Sequence, residues 1–337
     1  MPTRLPRTRC AQRSLAARSN DATIRNDHHG HDQLSPGRLE LRSADHRSRS
    51  CSDDRQRVLR EQQPRQRVER QQRHFADKPL ATIDYAVGLC TANNDDHIIV
   101  GPGHVETITT NGGLALDVDG ITIIGIGSGN NRPRISFSSS TSARMTVAGD
   151  NITMRNVRFT GDVDAVTIGI IVSGAHFTMT DWAYDDVTGQ IVDFIRVDAA
   201  GDYCTLARFD YRGATAAGTN AAIACAGADR LRIHDFWMDG NFAVGGIDIR
   251  TTAATNLLVY NAWSFRTRNA ADIFIVDTIT GSNGQIGPNI NIRLNDNATN
   301  VTEACTGATF VYMQPIRIVN NAGESSMETN ITATTDA

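Results

Sequence analysis

Five segments of the chain can be laid over one another: Ile152-Thr-Met-Arg-Asn-Val-Arg-Phe159, Phe177-Thr-Met-Thr-Asp-Trp-Ala-Tyr184, Cys204-Thr-Leu-Ala-Arg-Phe-Asp-Tyr211, Leu231-Arg-Ile-His-Asp-Phe-Trp-Met238 and Leu257-Leu-Val-Tyr-Asn-Ala-Trp-Ser264. Their starts lie 25, 27, 27 and 26 residues apart. Apolar residues recur at the first, third, sixth and eighth positions, so each segment reads as two alternating strands joined by one extra polar residue. A fixed period of this size is the signature of a solenoid in which each unit buries its apolar face against the next. The strand-type pattern makes that solenoid a parallel β-helix.

Stacking the segments at the strand spacing of about 4.8 Å arranges equivalent residues in columns. Three are apolar and interior: Ile152, Phe177, Cys204, Leu231, Leu257; then Met154, Met179, Leu206, Ile233, Val259; then Val157, Trp182, Phe209, Phe236, Ala262. The corner column reads Asn156, Asp181, Arg208, Asp235, Asn261. Asn and Asp tolerate left-handed backbone, and Asp181, Arg208 and Asp235 are expected to form a charge ladder along the edge. The outward seventh position reads Arg158, Ala183, Asp210, Trp237, Trp263. Two exposed Trp rings on neighbouring coils are unusual on a solvated surface. With Tyr260 on the preceding strand and the carboxylates of Asp210 and Asp239 beside them, they form a candidate platform for sugar rings. A subunit interface, or a surface covered by a loop or the C-terminal segment, is the plainer reading of the same column.

Outside the repeat, the first 75 residues differ sharply. They hold 17 Arg, no Lys and 9 acidic residues, a charge of about +8, while the remainder carries 16 basic and 28 acidic residues. They lack apolar periodicity, and eight of the chain's 11 Gln lie there. A basic arm for nucleic acid would need stacking aromatics, and Phe75 alone is present. Residues 1–75 therefore read as disordered or mistranslated. The six cysteines (Cys10, Cys51, Cys90, Cys204, Cys225, Cys305) show no CxxC pair and no zinc-ligand spacing, so they read as reduced thiols. No apolar run approaches the roughly 18 residues of a membrane span, and no secretion signal is evident.

From Pro79 the chain becomes regular. Leu80, Ile83, Val87 and Cys90 fall on one face of a short helix with Thr82 as its N-cap, a fitting cap for an open solenoid end. His104 and Glu106 share a face of the strand after Gly101-Pro-Gly103; this reads as a solvated face rather than an acid/base pair. Ala81-Thr-Ile-Asp-Tyr-Ala86, the strands around Ile98-Ile-Val-Gly-Pro-Gly103, and Ile124-Gly-Ile-Gly-Ser-Gly129 with Arg132-Pro-Arg-Ile135 resemble the opening coils of right-handed β-helix proteins of the pectin-lyase-like superfamily. They are most similar to the versions carried by tailed bacteriophages, and the resemblance extends over residues 79–337. The chain departs from that pattern in having Asp95-Asp96 before its first strand and the Arg/Gln-rich segment ahead of the cap helix.

The expected architecture is thus all-β: a single-stranded right-handed parallel β-helix over 76–285, of nine or ten coils, with a short N-terminal cap helix. A C-terminal β segment, 286–337, follows as cap or oligomerisation element. The resemblance, together with the absence of catalytic constellations, implies a non-catalytic structural component of a phage particle (fibre, spike or capsid-decorating protein), and the outward column adds surface-glycan binding through Trp237, Trp263, Tyr260, Asp210 and Asp239. The alternative is a polysaccharide lyase or glycoside hydrolase of the same fold, which needs paired carboxylates. Asp185, Asp186, Asp210 and Asp239 supply candidates, but Gly-His-Gly, Asn-Thr-Asp and Arg-x-Pro-x-x-Arg motifs are absent, and no residue is assigned as catalytic. No cofactor or metal is expected. Expected partners are other virion proteins or further copies of the chain, as in a homotrimer, and a polysaccharide or cell-surface glycan. Neither nucleic acid nor membrane is expected.

Overall fold

A computed structural model of the chain describes residues 79–186, 191–213, 219–267, 273–293, 303–305, 308–319 and 325–326. The segment 1–75, and with it Cys10 and Cys51, lies outside the described residues.

The described chain is a parallel β-solenoid whose strands fall on three faces. The first face stacks His97–Val100, Thr122–Gly125 and Thr153–Arg155. It continues with the leading halves of Thr178–Asp186, Thr205–Arg212, Arg232–Gly240 and Leu257–Thr267, and then with Asn283–Ile286 and Thr309–Tyr312. The second face stacks Val105–Ile108, Arg134–Phe137 and Arg158–Gly161, the trailing halves of the same four long strands, then Ile290–Arg293 and Ile316–Val319. The third runs from Asn111–Leu116 through Arg144–Val147, Val166–Val172, Ile191–Asp198, Ala221–Ala226, Ile247–Ile249 and Ile275–Asp277 to Glu303–Cys305.

Seven turns separate His97 from Asn283, fewer than the nine or ten expected. The helical cap, Ile83–Val87, takes up the first residues of the 76–285 segment, and the turn from Thr122 to Thr153 takes 31 residues instead of about 26. The parallel ladders also continue past residue 285, because Asn283–Ile286, Ile290–Arg293 and the strands beyond them pair in register with the coils below.

The interior columns stand as the period requires. Met154, Met179, Leu206, Ile233 and Val259 are ladder neighbours, as are Trp182, Phe209, Phe236 and Ala262, and all are buried. The Trp182 and Phe209 rings stack at 4.2 Å and 11°, and Phe209 stacks on Phe236 at 4.9 Å and 3°. Such offset ring pairs add about 0.5–1.5 kcal/mol beyond the area they bury. Cys204 is fully buried in its column, and its thiol, far from water, is pushed well above the usual range.

The corner between the first and second faces is a single left-handed residue in the central coils: Asn156, Asp181, Arg208, Asp235 and Asn261 have φ between 50° and 58°. One such residue redirects the strand without breaking the ladder on either side. Arg208 grips Asp181 through two bonds of 2.7 and 2.8 Å, the first rung of the expected charge ladder. The second rung is different. Asp235 accepts from Asn261 Nδ2 at 3.0 Å and pairs with His234 Nδ1 at 2.7 Å.

At the N-terminal end, Ile83–Val87 forms the cap helix, with the Thr82 hydroxyl accepting from the Tyr85 N–H at 3.1 Å. Ile83 and Val87 are buried, whereas Leu80 is exposed and Cys90 half-buried. Glu106 is not on a solvated face. It is 4% exposed and aligns with the interior Ile135, accepting the Ile83 N–H at 2.9 Å and lying 3.0 Å from His104 Nε2. The helix's first N–H has no partner within the helix and needs such an acceptor.

Candidate functional site

The outward side of the second face carries the chain's most distinctive surface. Side chains on a strand alternate, so two outward columns run along this face. The nearer to the corner reads Arg158, Ala183, Asp210, Trp237, Ser264. The farther reads Asp185, Arg212, Asp239, Arg266, Arg293. Between the columns lies an open depression of about 520 Å³, lined by Asp210, Arg212, Trp237 and Asp239 on its lower coils and by Ser264, Arg266 and Arg293 above.

Trp237, Asp210 and Asp239 come together here as the column reading requires. Trp263 and Tyr260 do not. The strand Leu257–Thr267 contains one extra residue: Phe236 pairs with Ala262, but Trp237 pairs with Ser264 and Met238 with Phe265. Trp263 is that bulged residue, so two residues of one strand oppose one of its neighbour. The interior supplies the reason. Ser264 would have entered the apolar column of Tyr211 and Met238, and the bulge puts the fully buried Phe265 there instead. Both indoles remain exposed, Trp237 at 57% and Trp263 at 56%, but they are not ladder partners and make no ring contact with each other. Tyr260 precedes the corner residue Asn261 and so belongs to the first face, where its ring stacks on His234 at 4.6 Å and 7°.

The carboxylates are largely engaged. Arg212 donates to Asp210 from Nε at 3.3 Å and from Nη2 at 2.5 Å, and this pairing holds the Arg212 guanidinium above its ordinary pKa. One coil lower, Arg158 Nε donates to Asp185 at 2.9 Å. Both Asp210 oxygens thus face the Arg212 guanidinium, and the pair forms a polar wall of the depression. The acids whose pKa is raised, Asp193, Asp248 and Asp277, are all on the third face. There Arg250 Nη1 donates to Asp193 at 3.0 Å, and Nη2 contacts Asp248. Among the described residues, no group of three or more His, Cys, Asp or Glu side chains is arranged to hold a metal ion, and no helix is long and apolar enough to cross a membrane.

Sequence reading missed Arg212, Arg266 and Arg293. The signal was present one residue beyond the eight-residue frame, where Asp185, Arg212 and Asp239 recur at the same 27-residue spacing. Comparison with protein-family models, curated proteins and solved structures finds no match to this chain.

Proposed function

We propose that this chain is a non-catalytic structural protein of a phage particle, a fibre, spike or capsid-decorating component, and that its second face binds saccharide. The virion assignment rests on the resemblance of residues 79–337 to pectin-lyase-like β-helices of tailed phages. The binding reading is supported by one observation above the others: the Trp237 indole stands 57% exposed at the rim of a depression walled by charged side chains. An indole face offers dispersion and C–H contacts to the apolar face of a pyranose, and the surrounding donors and acceptors meet its hydroxyls. A continuous parallel ladder holds those groups on a rigid backbone, so binding orders few side chains. The non-catalytic reading is supported by the ion pairs that occupy Asp185 and Asp210.

Binding of the full chain to an immobilised glycan panel tests this directly. The wild type should retain at least one saccharide, and Trp237→Ala should weaken that binding by about tenfold, the loss of roughly 1.4 kcal/mol expected for one ring contact. Equal retention by wild type and variant would overturn the platform. Release of reducing ends or unsaturated products from a bound polysaccharide would overturn the non-catalytic reading.

A further inference from the structure

We infer that the saccharide taken by this face carries an oxyanion, a carboxylate or sulfate ester, held by Arg266 and Arg293 beside the Trp237 ring; this rests on the saccharide-binding reading above. The farther outward column alternates in sign through Asp185, Arg212, Asp239 and Arg266, which is how a ladder neutralises itself. Arg293 breaks the alternation. It pairs in register with Arg266, and its next neighbour is Val319, so among the described residues the column sets two cations side by side with no acid following them. Like charges directly opposite on paired strands are unfavourable.

Both guanidiniums are exposed, and among the described residues neither is held by a hydrogen bond or an ion pair. The arginines lower on the same face behave differently, since Arg158 and Arg212 are each bonded to a carboxylate. A third exposed cation, Arg317, stands one coil further on beside Asn291, in line with the Ser264 side of the face. Among the described residues the depression therefore grades from ion-paired charges around Asp210 to adjacent positive charges at Arg266 and Arg293, with Trp237 and Ser264 between them.

A guanidinium presents a planar fork of donors that matches carboxylate and sulfate oxygens and loses little entropy in binding them. Two forks on successive rungs, about 4.8 Å apart, suit one anionic substituent on a ring seated against the indole. A neutral sugar would leave that positive end unmatched.

The test uses the full chain on an array holding carboxylated, sulfated and neutral versions of the same oligosaccharide backbones. Acidic versions should bind at least about tenfold tighter than their neutral counterparts, with the preference shrinking as salt rises. The variant Arg266→Gln/Arg293→Gln should lose that preference yet keep the weaker, Trp237-dependent binding of the neutral ring. Both side chains are exposed, so an unchanged melting temperature serves as the control for folding. The carboxylated and sulfated arms identify which oxyanion is taken. Equal binding of acidic and neutral versions, or an acid preference that survives the double substitution, would overturn this inference and leave the saccharide-binding reading in place. An array on which nothing binds would overturn both.

Discussion

Asp277 occupies an interior place that its neighbours fill with apolar side chains. Its ladder column reads Val147, Val172, Val197, Cys225, Ile249, Asp277 and Cys305. The residue is 0% exposed; Oδ1 accepts the Ile279 N–H at 2.8 Å, while Oδ2 has no partner. Burial raises its carboxyl above the usual range. A carboxyl with a folded pKa above its unfolded value near 3.8 holds its proton more tightly in the folded chain. Its stabilising contribution is whole below that pH and is lost as pH rises through the folded value. Asp277→Asn should therefore raise the melting temperature at pH 7 by about 2 °C, with the gain vanishing near pH 4. Scanning calorimetry at the two pH values checks this, and an equal gain at both would contradict it. No sequence pattern points to this acid, because it lies beyond the five aligned segments, where loop lengths blur the period.

At the scale of one element, the strand Leu257–Thr267 shows where pattern reading succeeds and where it stops. Leu257, Val259 and Ala262 fall inside as the alternation requires, and Asn261 makes the corner. Beyond the corner a fixed eight-residue frame assigns the interior to Ser264. A polar residue at that position was the available sign of an inserted residue, with Phe265 ready to replace it. The corners at the ends of the solenoid were harder to recognise. In the central coils one left-handed residue joins the two strands, whereas Gly287-Pro-Asn289 separates Ile286 from Ile290 and Gly101-Pro-Gly-His104 separates Val100 from Val105. Those longer corners hide the eight-residue motif, so the coils past residue 285 read as strands without a place in the ladder. Asn261 itself gives a measurable expectation. It holds φ 50°, donates to Asp235 and accepts from Asn289 Nδ2 at 3.0 Å. Asn261→Ala should cost about 2 kcal/mol, from left-handed strain of about 1–2 kcal/mol and two lost hydrogen bonds. Asn261→Gly, free of the strain, should cost about half as much. Urea midpoints of the three proteins report the order, and an alanine variant at least as stable as the glycine variant would contradict the role assigned to the corner.

At the scale of the solenoid, packing faces inward, and the surface proposed for binding faces outward. Inward columns are apolar apart from buried acids such as Asp277 and Glu106, and they stabilise the solenoid without demanding any particular outward residue. The outward columns are consequently free to vary, and on most coils they carry Thr, Arg and Asp tied into local bonds. The second face above Asp210 departs from that rule with an exposed indole and two adjacent exposed arginines, Arg266 and Arg293. Its composition was legible in the sequence through Trp237, Asp210 and Asp239. Its geometry was not, because a single bulge moved Trp263 out of register and the corner put Tyr260 on another face. Of the chain's three tryptophans, Trp182 is buried and only Trp237 and Trp263 are exposed. In a Trp263→Phe background, any change in exposed-indole emission comes from Trp237. Titration of that protein with an acidic oligosaccharide retained on the array should quench the emission and shift it to shorter wavelength, with saturation at the same concentration as binding. Saturable binding with the Trp237 emission unchanged would contradict the account.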